Sequence, residues 1–255
     1  MSGLRAVLLD LDGTLVDTAE LWQHAYARLA DELGVELPVD FWSQAAGRSM
    51  AESLVVFGPQ ERSPDRLIAR LVELATDGLS EPDGTTAADR AAGRASRSWH
   101  WLPGARELLV ALRAPRDGSD GTPLATALVT SSWRDFTLTL LATSEASASE
   151  SSASEPTHPF DAIVCGEDVT DGKPAPDGFL RAAALLGVAP DECLVIEDSP
   201  TGVAAAEAAG MVVLAVPHAG HLDPAPGRAV RRDLVGLTGT GLVALHARLR
   251  SGASA

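Results

Sequence analysis

Apolar residues along this chain gather into short, partly β-branched runs separated by longer stretches with helical spacing. Ala6–Asp10 (AVLLD) reads as a buried strand. So do Ala125–Thr130 (ATALVT), Ala162–Cys165 (AIVC), Cys193–Glu197 (CLVIE) and Met211–Val216 (MVVLAV). Strands that alternate with helices pair in parallel and are covered on both faces, so the pattern predicts an α/β fold. The helix between the last two strands is well bounded: Ser199 can cap it, Pro200 suits its first turn and Gly210 can close it. A second helix follows the first strand, where Trp22, Tyr26, Leu29 and Leu33 recur at helical spacing before Gly34.

From Thr18 to Trp99 no strand pattern appears. This region reads as helices with a polar, loop-rich part around Ser80–Thr86, a lobe inserted after the first strand. Leu102-Pro103-Gly104 then returns the chain to the core. The expected division is a core of residues 1–17 and 100–255 with a helical lobe at 18–99. Within the core, Thr143–His158 is low in complexity and rich in Ser, Ala and Glu, which predicts a flexible loop without chemistry. The tail after Arg250 is expected to fray.

Composition narrows the classes. A chain of 255 residues that is 45% apolar can build one good core and a smaller lobe. No apolar run reaches the length of a membrane span, and the N-terminus lacks a signal-peptide pattern, so a cytoplasmic protein is expected. The net charge of −15 argues against nucleic acid, whose phosphates demand a basic face. Cys165 and Cys193 sit in or beside apolar runs, as buried free thiols do, and suggest neither a disulfide framework nor a zinc site. A monomer or weak dimer is expected.

The first strand ends in Asp10 and Asp12, two carboxylates that repel each other. In a parallel sheet the carboxyl ends of strands line the ligand crevice. A hard cation there would offset the repulsion, and magnesium takes oxygen ligands together with waters and a substrate phosphate. Three more polar groups occupy equivalent places: Thr130-Ser131-Ser132, Glu197-Asp198-Ser199, and Gly172-Lys173-Pro174 between them. Two familiar loops do not fit. An EF-hand starting at Asp10 would need Gly sixth and Glu twelfth, but Gly13 is fourth and Leu21 twelfth. In GEDVTDGKP the glycines are one residue too far apart for a phosphate-binding P-loop, and Pro174 replaces the required hydroxyl. Taken singly, Lys173 reads as a solvated lysine, and Thr130-Ser131 or Asp198-Ser199 as helix caps. Taken together, matched strand ends point to one site.

DLDGTLVDT, LVTSS, GKPAPDGF and VIEDSPTGVAAAEAAGM resemble the four ordered motifs of the haloacid dehalogenase-like superfamily. The last two resemble its small-molecule phosphatases and the related β-phosphoglucomutase most closely. The resemblance covers residues 4–17 and 100–240. It implies a Rossmann-like parallel sheet core with an inserted helical cap, and a magnesium-dependent phosphatase that hydrolyses a small phosphorylated metabolite, such as a sugar phosphate, through an aspartyl-phosphate. Asp10 would be the nucleophile, and Asp12 the general acid and base that also offers its backbone carbonyl to magnesium. Asp198 would be a further ligand, with Glu197 beside it, directly or through water. Thr130 and the Ser131 amide would hold phosphate oxygens, Lys173 would neutralise charge, and Gly13 would let the chain turn past the phosphoryl group. Dehalogenases of the superfamily lack the second aspartate, so Asp12 favours phosphoryl chemistry. DTAEL resembles the mutase pattern, but Trp22 stands where the mutase has histidine and His24 lies further on, which favours hydrolysis over phosphomutation. A non-catalytic phosphometabolite-binding protein is a further alternative, disfavoured by the intact set of acidic and basic residues. In the cap, Gly47 and Arg48 could meet a second substrate group, with a surface arginine as the plain alternative. Trp22 and Trp42 either line the cavity or pack the lobe.

Overall fold

The computed structural model describes residues 3–42, 50–58, 63–80, 99–114, 122–146, 159–218 and 220–252. In chain order its elements are β1 (Ala6–Leu9), β2 (Val16–Asp17), α1 (Ala19–Leu33), α2 (Met50–Val55), α3 (Pro64–Ser80), β3 (His100–Trp101), α4 (Ala105–Arg113), β4 (Ala125–Val129), α5 (Arg134–Ala146), β5 (Ala162–Val164), α6 (Asp177–Leu186), β6 (Cys193–Glu197), α7 (Pro200–Ala208), β7 (Val212–Ala215), β8 (Arg228–Val230) and α8 (Gly239–Arg250). The chain forms two compact units. The first comprises Met1–Asp17, Trp101–Ser131 and Pro159–Ala255, and the second Thr18–His100 and Ser132–His158. Among the described residues no helix is long and apolar enough to cross a membrane.

The first unit is an α/β core. Its sheet has six strands in the order β5-β4-β1-β6-β7-β8, and every pairing is parallel. β1 is flanked on both sides and buried on both faces, which is why Ala6, Val7, Leu8 and Leu9 form an unbroken apolar run. From β1 the chain builds outward through β4 and β5 on one side, then through β6, β7 and β8 on the other. β1 is therefore the point where strand order reverses, and in open α/β sheets ligands bind at the carboxyl ends there. One face of the sheet carries Ala6, Leu8, Ala127, Val129, Cys193 and Val195 against Phe179, Ala182 and Ala183 of α6 and Val203, Ala205 and Ala206 of α7. Burying each large apolar side chain contributes about 1.5–3 kcal/mol.

The five strands expected from the sequence agree with its pattern to within a residue at each end, and the two-residue strands β2 and β3 were not expected there. β8 was not legible there. It is a three-residue edge strand, Arg228–Val230, whose arginine pairs with Glu207 at 2.8 Å, and such edges carry charge rather than an apolar run. α7 starts as expected: Ser199 Oγ accepts from the Gly202 amide at 3.0 Å, Pro200 occupies the first turn and Gly210 follows with φ of +77°. α1 ends on Gly34 in the left-handed conformation. The return to the core is anchored by the Leu102 amide, which donates to the Leu15 carbonyl at 2.9 Å. Gly104 follows at φ +84°, pressed so closely on the Leu234–Val235 backbone that a side chain there would overlap it.

The second unit is helical. α3 packs against α1, α2 and α5. Tyr26, Phe41, Trp42 and Phe57 form an aromatic cluster with ring centroids 4.8–6.1 Å apart. Trp22 lies 4.7 Å from Phe136 of α5, so both tryptophans singled out in the sequence make packing contacts inside this unit. The expected boundary at 18–99 did not include α5, which groups here. Thr143–Ala146, expected to open the Ser-rich loop, instead complete α5. Residues 147–158 of that loop, residues 81–86 of the polar stretch, and Gly47 and Arg48 lie outside the described residues.

Two substitutions test this packing. Gly104→Ala should destabilise the core by at least about 1–3 kcal/mol, the penalty of a side chain in a left-handed conformation, read as a lower urea midpoint. Thr137 is fully buried in α5, and its hydroxyl is the one buried side-chain polar atom without a partner among the described residues. Thr137→Val should therefore leave stability unchanged or raise it by about 1 kcal/mol in the same assay.

Candidate active site

The strand register assembles the site. Leu9 pairs with Leu128 on one side and Ile196 on the other. One step on stand Asp10, Val129 and Glu197; two steps on stand Thr130 and Asp198. Side chains alternate along a strand, so Asp10 continues the face of Ala6 and Leu8, and Glu197 that of Cys193 and Val195. The apolar face against α6 and α7 thus ends in two carboxylates side by side.

Lys173 reaches them from the loop between β5 and α6. Its ammonium donates to Asp10 Oδ1 at 2.5 Å, to Glu197 Oε2 at 2.7 Å and to the Val129 carbonyl at 3.2 Å. The Phe179 ring of α6 lies 5.4 Å from the ammonium. Asp10 and Glu197 are 5% and 0% exposed, so these ion pairs are buried and each charge depends on its neighbours. Thr14 Oγ1 donates to Asp198 Oδ1 at 3.2 Å, and Thr130 Oγ1 to Asp12 Oδ2 at 3.4 Å. Gly13 turns at φ +87°, and a Cβ there would overlap the Asp198 carboxylate, so glycine is required for the loop to lie this close.

Carboxylate oxygens of Asp10, Glu197 and Asp198 all lie within 4.8 Å of one another. Lys173 balances only one of these three negative charges. Burial, then the Glu197 charge, lifts the Asp10 carboxyl to about 7 against the pull of Lys173. Burial, then Asp10 and Glu197, lifts the Asp198 carboxyl to about 9. Burial acts first on Lys173 and downward, but Asp10 and Glu197 outweigh it and hold the ammonium above its ordinary range. The cluster is short of positive charge, and its donors are all hard oxygens. That combination fits a divalent cation such as magnesium.

Asp10, Thr130, Lys173, Glu197 and Asp198 thus come together on one edge of the sheet with Asp12 beside Thr130. Ser131 follows Thr130 and is exposed. Thr14 and Phe179 were not singled out for this site in the sequence, whereas Ser199 was named there with Glu197 and Asp198, and its hydroxyl bonds Glu197. A hydroxyl two positions after Asp12 was a usable signal for Thr14. Phe179 carried none, because an aromatic residue in an apolar helix reads as core. Cys165 and Cys193 are buried free thiols.

A family model described as haloacid dehalogenase-like hydrolase matches residues 4–210. The chain is 33% identical over 212 residues to hexitol phosphatase A of Escherichia coli, covering 83% of this chain and 82% of that protein. It is 31% identical over 236 residues to beta-phosphoglucomutase of Mycobacterium tuberculosis, covering 83% and 80%. Among solved structures, CbbY from Rhodobacter sphaeroides in complex with phosphate has a TM-score of 0.71 at 21% identity, over 94% of this chain and 99% of that one, a likeness of fold.

The charge balance makes stability depend on pH. Asp10 and Asp198 hold protons more tightly in the folded chain than in the unfolded one, so the folded state is the stronger proton binder. In chelator, the melting temperature should fall as pH rises from 6 through about 7 and about 9, where these carboxyls ionise in the folded chain. Magnesium should restore it most at the alkaline end, and a melting series at fixed ionic strength measures both effects.

Proposed function

We propose that this chain, which belongs to the haloacid dehalogenase-like hydrolase family, is a magnesium-dependent phosphatase that hydrolyses a small phosphorylated metabolite through a phosphoryl-aspartate at Asp10. The observation that carries this reading is the Lys173 ammonium, on a side chain only 11% exposed, 2.5 Å from Asp10 and 2.7 Å from Glu197 at the switch point of the sheet. A lysine so placed neutralises a carboxylate that must approach an anionic phosphate. A purely binding protein has no need of a carboxylate pinned in this way.

In the proposed reaction an oxygen of Asp10 bonds to phosphorus as the bond to the ester oxygen breaks. Asp12 gives its proton to the departing oxygen. In the second half, water attacks phosphorus, Asp12 takes up its proton, and the bond to Asp10 breaks to release inorganic phosphate. The 3.4 Å contact between Thr130 and Asp12 supports their acting on the same group, Thr130 and the Ser131 amide holding phosphate oxygens while Asp12 moves the proton. The side chains of Asp10 and Asp198, with the Asp12 backbone carbonyl, would hold the magnesium ion. When bound, that ion supplies positive charge against the phosphoryl oxygens.

Relatives named hexitol phosphatase and phosphoglucomutase support a phosphorylated sugar or polyol as substrate. The mutase relative also keeps phosphomutation as a second reading. Hydrolysis is preferred because Trp22, packed at a tilt against Phe136, stands where the mutase pattern has histidine. The helical unit is proposed to act as the cap, with Gly47 and Arg48 meeting the substrate's second polar group. A cytoplasmic monomer or weak dimer is the proposed setting.

Asp10→Asn should lower turnover of p-nitrophenyl phosphate by at least about a thousandfold, while circular dichroism stays that of the parent. The parent's activity should vanish in chelator and return with magnesium. Undiminished hydrolysis by the purified variant would overturn the assignment of Asp10.

A further inference from the structure

Glu197 stands beside Asp198 in the acidic cluster and shares its reach toward a cation, yet the two carboxylates are engaged very differently. Glu197 is fully buried. Its Oε1 accepts from the Asp198 amide at 3.0 Å, the Ser199 amide at 3.0 Å and the Ser199 hydroxyl at 2.9 Å. Its Oε2 accepts from Lys173 at 2.7 Å. Each carboxylate oxygen offers about two lone-pair sites, so the three donors fill Oε1, while Lys173 takes one site of Oε2 and stands beside the other. A cation on Oε2 would also stand next to the Lys173 ammonium and be repelled by it. Gly202 closes the remaining side: a Cβ there would overlap the Glu197 carboxylate, so the first turn of α7 lies directly on it. Asp198, by contrast, accepts from Thr14 through Oδ1 and makes no hydrogen bond to Lys173 among the described residues.

The Ser199 hydroxyl completes the arrangement. It donates to Glu197 Oε1 and accepts from the Gly202 amide at 3.0 Å, so the cap of α7 and the orientation of Glu197 are one structure. Glu197 in turn fixes the ammonium that faces Asp10. We propose that Glu197 and Ser199 are positioning residues for Lys173, and that Glu197 is not a ligand of the divalent cation. The inference rests on the phosphatase reading for its effect on turnover. Its statement about the cation stands apart from that reading.

Two measurements on the full chain test it. The first is a crystal structure with magnesium and inorganic phosphate. Glu197 should keep Lys173 and the two loop amides as partners, while Asp10 and Asp198 reach the ion. A Glu197 oxygen at coordination distance, about 2.0–2.1 Å, would overturn the proposal. The second compares Ser199→Ala, Ser199→Thr and Asp198→Asn by calorimetric titration with magnesium alone and by kinetics on p-nitrophenyl phosphate. Ser199→Ala should keep magnesium affinity within about threefold of the parent and lower kcat about three- to tenfold with a smaller change in KM. Ser199→Thr, which retains the hydroxyl, should recover kcat. Asp198→Asn should weaken magnesium binding at least tenfold, by loss of a charged ligand. Loss of a helix cap alone would lower the melting temperature and leave kcat intact well below it, so parental kcat in Ser199→Ala overturns the positioning role. If the parent chain binds magnesium but turns over no phosphate ester, the phosphatase reading fails while the crystal structure still decides the place of Glu197.

Discussion

One largely enclosed ammonium shared among carboxylates governs the catalytic edge of this protein. Lys173 touches Asp10, Glu197 and the end of β4 at once, and so ties three neighbouring strands together at their carboxyl ends. In a low-dielectric site a charge is tolerated only while its partners hold it, so none of these residues is independent of the others. The imbalance is as informative as the pairing. Three carboxylates against one ammonium is a poor way to stabilise a fold, and a good way to attract a cation and then a phosphate.

The parallel sheet makes that concentration possible. β1 is central, the strand order reverses about it, and its neighbours β4 and β6 run beside it in register. Polar residues that follow each strand by one or two positions are therefore delivered to the same place. Close approach needs backbone without side chains, which Gly13 and Gly202 provide against Asp198 and Glu197. The hydrogen bonds of Ser199 and Thr14 then fix the carboxylates that the glycines have let in. The helical unit contributes none of these groups. Its packing rests on aromatic contacts around Tyr26 and Phe41, while the ion pairs of Arg70 with Glu32 and Glu73 are largely exposed and add little stability.

The chain's own residues declared most of the core. Short apolar β-branched runs located the central strands, because a strand buried on both faces has no alternative composition. Asp10, Asp12, Thr130 and Asp198 stood out because charged or hydroxyl groups directly after such runs are costly unless a site uses them, while Lys173 read singly as a solvated lysine and stood out only together with them. What the linear pattern marked less well was anything at an edge or outside the core. β8 is short and charged, α5 groups with the helical unit although it follows β4 directly, and Phe179 looks like any apolar helix residue until Lys173 is seen beside it.

Sequence alone thus determined the fold class, the strands that matter and the residue types at their ends, since burial and periodicity are local properties of the chain. Only the tertiary structure decided which of those residues meet. Lys173 lies 163 positions from Asp10 and 24 from Glu197 in the chain, and no local rule states that one ammonium will serve both. It also decided how each carboxylate is occupied. Glu197 and Asp198 are adjacent in sequence and equal in charge. They are held apart in role by strand alternation, which turns one toward Lys173 and the loop amides and the other toward Thr14.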